Sequence, residues 1–257
     1  MASTAEIKEH FNSSVFDKIR NFWFQNAAND EELILPTMDL AKQWFTSDMA
    51  FDKLCTDNFS EQLKAVRSGS VSASDLLNAI GPMSPLDWLG LVLLLDQVPR
   101  NCFRGPDSKI VFTVFDPVVL DITLRAIEQG IPESPEIRYH PGYRLWFYLP
   151  LQHSERRDIH ELSVKEHASI FTDMKALMEQ PESEVDEKFR KTREFLLANK
   201  EGVTKWEDML NSFAARHKAV IDRFGRFPHR NEAMGREPTE EEIKYLIEGG
   251  ETFGSGR

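Results

Sequence analysis

The chain has 257 residues, 41% of them apolar and 28% charged, with 31 Lys and Arg against 42 Asp and Glu for a formal net charge of −11. A chain this long buries about three quarters of its unfolded surface, so no metal or disulfide is required for stability, and the composition is that of a globular protein rather than a disordered one. The acidic balance argues against nucleic acid or an anionic membrane as partner, because both need a broad basic face. Two cysteines, Cys55 and Cys102, lie outside any metal-ligand spacing. That excludes a cysteine zinc site and reads as two free thiols in a reducing compartment. The first ten residues lack the basic and apolar regions of a secretory leader, and no stretch approaches the roughly 18 uncharged apolar residues of a membrane span, so the expected location is cytoplasmic.

Helical periodicity begins near the amino terminus. Residues 14–26 place Val15, Phe16, Ile19, Phe22 and Trp23 on one face, with Asn12 or Ser13 as the cap. Residues 47–66 repeat the pattern through Phe51, Leu54, Phe59, Leu63 and Val66, with Ser47 as the expected start. At 84–97, Ser84 followed by Pro85 is a helix start, and the run Leu89 to Leu95 is apolar on every side, so this helix is central. The run Ile110 to Phe115 is rich in β-formers but isolated. Further helices are expected at 115–129, 156–179, 184–198, 204–223 and 239–247. Leu145 to Leu151 forms a second buried apolar stretch, in which Pro150 forces a kink or a new helix start. The expected architecture is a single all-α domain over 1–257, with about nine to eleven helices and flexible ends at about 1–12 and 249–257.

Three polar clusters follow apolar stretches. The first runs from Asp96 to Gly105 and holds Gln97, Arg100, Asn101 and Arg104. A carboxylate at Asp96 is hard to hydrate and needs a cation or several donors. Arg100, Arg104 or the arginines of the third cluster can supply the cation. The second cluster is Gln152-His153-Ser154-Glu155, where His153 is a candidate acid or base and Glu155 a candidate partner, although i and i+2 on a helix point to different faces. The third, Arg223-Phe224-Gly225-Arg226-Phe227-Pro228-His229-Arg230-Asn231, concentrates cations against the trend of the chain and follows His217 on an apolar stripe. Gly225 and Pro228 also suit a plain helix terminus. A metal site from His153, Glu155, His217 and His229 is a conceivable ligand set, but none of these residues has the i, i+4 spacing of a helix-borne pair. No Walker loop, dinucleotide fingerprint, nucleophile elbow or kinase signature occurs.

Taken together, Leu94-Leu95-Asp96-Gln97-Val98-Pro99-Arg100-Asn101 with Phe103-Arg104-Gly105, Tyr148 to Glu155, and Phe224 to Asn231 with Gly235-Arg236-Glu237 resemble the bacterial and fungal family named domain of unknown function 924. Phe22-Trp23-Phe24 and Trp44-Phe45 extend the resemblance over nearly the whole chain. It implies a tetratricopeptide-like arrangement of helix pairs and no established reaction or cofactor. Polar motifs from three separated segments are what one shared pocket requires. The first reading is therefore a pocket for a small anionic molecule, carboxylate or phosphate. In it Gln97, Arg100, Asn101, Arg104, His217, Arg223, Arg226, Arg230 and Asn231 recognise the anion, and His153 or His229 is the general acid or base, with Asp96 or Glu155 setting its pKa. The alternative is a protein-interaction module whose motifs are internal ion-pair networks.

Overall fold

The computed structural model describes residues 4–253 apart from Ser47, Ser70 and Pro82. Among the described residues every regular element is helical and no strand is present. There are more helices than the nine to eleven expected, because short ones such as Glu31–Ile34, Pro141–Arg144 and Asn231–Met234 carry no periodic pattern to read. The start assigned to Ser47 lies outside the described residues. The stretch that reads as a flexible amino terminus carries the helix Thr4–His10, and Ile7 and Phe11 reach the core. Asn12, rather than Ser13, caps the next helix, Ser13–Trp23, by accepting from the Val15 amide.

The helix Pro85–Cys102 is the centre of the fold. Ser84 and Asp87 close a capping box at its start, and every residue from Asp87 to Pro99 is buried. Around it pack Ser13–Trp23, Met49–Gly69, Asp116–Glu128 and the turn Leu145–Phe147. An apolar surface with no polar stripe can be satisfied only by neighbours on several sides. Met49–Gly69 turns Cys55, Phe59, Leu63 and Val66 inward, while Leu54, expected on that face, is exposed.

The β-rich run is helical: Val111–Phe115 forms a π-helical stretch that continues into Asp116–Glu128. Its alternation of β-branched and aromatic residues suits a strand locally, but no partner strand exists and packing decides. The second apolar stretch breaks where Pro150 predicts, since Leu145–Phe147 gives way to a new helix, Leu149–His153. Farther on, Arg157–Glu179 lies along Lys200–Phe224. Gly225, at φ 68°, ends that long helix in the left-handed conformation, and the chain turns back so that Asn231–Met234 packs against Gly105–Ile110. This return brings the carboxy-terminal arginines to the end of the central helix.

The central helix crosses Ser13–Trp23 closely at Gly90, where an added Cβ would stand 2.7 Å from Phe16 Cβ and 2.9 Å from its Cα. Alanine is the better helix former by up to about 1 kcal/mol, yet Gly90→Ala is expected to destabilise the protein by about 1–3 kcal/mol through overpacking. Urea unfolding of the variant checks the sign.

Candidate binding site at the end of the central helix

The central helix runs on through Pro99 to Cys102, so Asp96 and Arg100 stand one turn apart on one face instead of beyond the helix end. Asp96 is 0% exposed. Its Oδ2 accepts from the Gln97 amide at 2.6 Å, and its Oδ1 accepts from Arg100 Nη2 at 3.2 Å and from His153 Nδ1 at 2.8 Å. Burial alone would raise this carboxyl, but the His153 ring, the Arg100 guanidinium and the hydrogen bonds outweigh it and hold the group below the usual carboxylate range.

An ionised Asp96 only accepts, so Nδ1 carries the ring proton of His153. Burial, and then the charge of Arg100, push His153 below its usual value of 6.5. The ring is therefore neutral at pH 7, with its lone pair on Nε2. That nitrogen has no hydrogen-bond partner and is not among the buried unpaired atoms of the described residues. His153 lines a cavity of about 340 Å3, together with Asp116, Glu155 and Arg230.

Asp116 is held by Arg100, whose Nη2 donates to its Oδ1 at 2.5 Å. It follows the π-helical stretch directly; such widenings recur at functional sites because they re-aim the residues beside them. Its Oδ2 lies 3.5 Å from Arg230 Nη1, too far for a good hydrogen bond, and is buried without a partner. Arg230 is 7% exposed, and its side chain makes no hydrogen bond among the described residues. Its guanidinium rests over the rings of Phe112 at 4.4 Å and Phe227 at 4.6 Å. Burial, opposed by Asp116 and reinforced by the like charge of Arg100, lowers its proton affinity to about 10, so it is still a cation at pH 7.

Arg144 is the internal comparison. It is 0% exposed, and it donates from Nε to Tyr148, from Nη1 to the Arg138 carbonyl and Asp173, and from Nη2 to Glu133 and Ser169. Buried structural arginines are saturated in this way. Arg230 is not.

The remaining candidate residues have other partners. Glu155 lines the cavity, but both its oxygens are taken by Arg236, at 2.7 and 3.1 Å, and by the Phe227 amide at 2.9 Å. It makes no hydrogen bond to His153. Arg104 forms a bidentate pair with Asp52 and also donates to the side-chain oxygen of Asn101, whose amide nitrogen donates to the Gln97 carbonyl. Arg226 pairs bidentately with Glu242, which also accepts from Asn231, and Arg223 pairs with Glu241 on the surface. His217 donates to the Phe213 carbonyl and stacks on Phe253 at 3.6 Å. His229 lies beside Phe227 and Phe253 with Nδ1 buried and unpaired. The structure thus gathers Asp96, Gln97, Arg100, His153 and Arg230 and directs the other arginines to the chain's own acids.

The family described as bacterial protein of unknown function (DUF924) matches residues 19–250. The chain belongs to this family. A solved structure, that of a protein of unknown function from Agrobacterium tumefaciens, superposes with a TM-score of 0.59 at 25% identity, covering 92% of this chain and 99% of that one. No curated protein matches.

In this DUF924 chain the metal-capable group among the described residues is Asp96, Asp116 and His153, with ligand atoms within 4.8 Å of one another. It differs from the set of His153, Glu155, His217 and His229 considered from sequence. Arg100 already donates to both carboxylates, so an internal guanidinium stands where a cation would sit. Asp116 and Arg236 are the residues that sequence reasoning missed as site residues. Asp116 follows an apolar run just as Asp96 does, and the same argument from poor hydration would have found it.

Five histidines, His153, His160, His167, His217 and His229, are pushed down primarily by burial, His167 to about 4 and His229 to about 3. Below pH 6.5 the unfolded chain takes up protons that the folded one refuses. Stability is therefore expected to fall as pH drops from about 6.5 towards 4, each histidine adding up to about 1.4 kcal/mol per pH unit. Urea midpoints at pH 7, 6 and 5 measure this, and a flat profile contradicts it.

Proposed function

We propose that this DUF924 protein binds a small organic anion in the cavity beside His153, with Arg230 as the anion's anchor and the Asp96–His153 pair as a general base. The observation that carries the reading is Arg230: a buried cation whose side chain makes no hydrogen bond among the described residues, lining a cavity that also holds the uncharged ring of His153 and the carboxylates of Asp116, Asp121 and Glu155. Unsatisfied buried donors are costly, and a carboxylate or phosphate oxygen is the acceptor they fit. Asp96 fixes the tautomer and orientation of His153, and Nε2 takes a proton from a group held by Arg230, which is the arrangement general-base catalysis requires. The cavity volume suits one small ligand, and Phe112, Leu120 and Met234 give it apolar walls.

The interaction-module alternative is favoured by the arginines paired with Asp52, Glu241 and Glu242, which are internal networks, but not by Arg230. Tetratricopeptide-like pairing of helices is supported by the lengthwise packing of Arg157–Glu179 on Lys200–Phe224. Enclosure of the central helix on several sides is less like an open superhelix. The free thiols of Cys55 and Cys102 suit a cytosolic setting.

Thermal unfolding in the presence of small carboxylates tests the reading. Stabilisation is expected to approach about 2.7 kcal/mol at a hundred times the dissociation constant. Arg230→Gln abolishes this response and alters the empty protein's stability by no more than about 1 kcal/mol, whereas Arg144→Gln costs about 3–5 kcal/mol. His153→Gln retains binding, since an amide can still donate to Asp96. If no carboxylate or phosphate stabilises the protein, or if Arg230→Gln unfolds it as Arg144→Gln does, the pocket is structural.

A further inference from the structure

The acids around Arg230 bear on which anions enter, an inference that rests on the pocket reading above. Asp96, Asp116 and Glu155 stand against Arg100, Arg230 and Arg236. With His153 neutral, these three carboxylates match these three guanidiniums before any ligand arrives, and Asp121, a fourth carboxylate at the cavity wall, is exposed and forms no ion pair among the described residues. Arg100 is shared between two carboxylates, and Arg236 is taken by Glu155 and the Phe227 carbonyl. At the rim Arg156 pairs with Asp158. Of the two arginines that line the cavity, Arg230 is the buried one, and its side chain makes no hydrogen bond among the described residues; one guanidinium edge matches the two oxygens of a carboxylate.

Asp116 is held in place: its Oδ1 accepts from Arg100, Pro117 follows it at the helix start, and its side chain is 11% exposed. Its Oδ2 lies 3.5 Å from Arg230 Nη1. A monoanion on Arg230 adds one negative charge beside Asp116, whereas a dianion adds two, and like charges at that separation repel.

We propose that Asp116 is the specificity-determining residue of this pocket and restricts it to monoanions, so that the ligand is an organic carboxylate and not a phosphate monoester. Benzoate, benzenesulfonate and phenyl phosphate share one apolar body and differ in head group. At pH 8 the first two carry one charge, and the phosphate, with a second pKa near 6, carries about two.

Calorimetric titration of the full chain is expected to show benzoate and benzenesulfonate binding at least about tenfold tighter than phenyl phosphate. In Asp116→Asn, which keeps an oxygen for Arg100, the gap closes to within about threefold. Tightest binding of phenyl phosphate to the wild type, or an unchanged preference in Asp116→Asn, overturns the role of Asp116 while leaving the anion pocket intact. If none of the three binds the wild type, the pocket reading itself falls and this inference with it. Should Asp116→Asn fail to fold, the wild-type comparison decides alone, because benzenesulfonate and phenyl phosphate differ chiefly by one charge on a tetrahedral head.

Discussion

The fold is organised around one buried charge. Asp96 sits without solvent exposure near the end of a helix that is apolar on all sides, and an unpaired carboxylate there is incompatible with a stable core. Its compensation draws on two segments. Gln97 and Arg100 come from the same helix, and His153 comes from the short helix that Pro150 starts. Arg100 then requires a second acid, because its guanidinium is itself desolvated, and Asp116 meets that need from the end of the π-helical stretch. Arg230 returns from the far end of the chain to face Asp116. The result is a sequence of alternating charges, Asp96, Arg100, Asp116 and Arg230, that joins three segments of the chain. Three members are closed by hydrogen bonds. The last is left open, and the cavity lies there.

Breaking a buried pair costs far more than replacing the pair outright, since removal of one partner strands the other. That asymmetry separates the arginines of this chain by role. Arg144, donating from all three nitrogens, behaves as a tie between elements, and so does Arg226 with Glu242 and the Glu237 carbonyl. Both are explained by the fold alone. Arg230 contributes little that the fold needs, yet it carries the full desolvation of a guanidinium. A local rule broken without a structural return is the usual mark of a functional position.

The hydration argument made Asp96 legible from sequence, because seven preceding positions without a polar side chain left no route to water. His153 was legible as a candidate base with Asp96 or Glu155 as the acid beside it, but the choice of Asp96 was not, since 57 residues separate the two and only the tertiary fold brings them together. The reading of Glu155 as its neighbour failed on direction: adjacent in sequence, it turns away to Arg236. Helix ends were the weakest element. Pro99 argues locally for termination, but burial of the flanking residues carries the helix past it, and that extension sets Arg100 one turn from Asp96. The basic cluster was legible as a concentration of charge and not as a set of separate destinations, which depend on where Glu240–Ile247 packs.

How a guanidinium survives burial without hydrogen bonds follows from its shape. Its charge is delocalised over a plane, and all its N–H groups point outward within that plane. The rings of Phe112 and Phe227 offset part of the lost hydration through cation–π attraction without accepting a hydrogen bond from the guanidinium edge. The edge keeps its donors. Asp116, at 3.5 Å, supplies long-range compensation without occupying them. Stacking and a displaced counter-ion thus hold Arg230 charged and oriented with an edge still open to a ligand, which a direct bidentate partner of the kind Arg226 has in Glu242 would close.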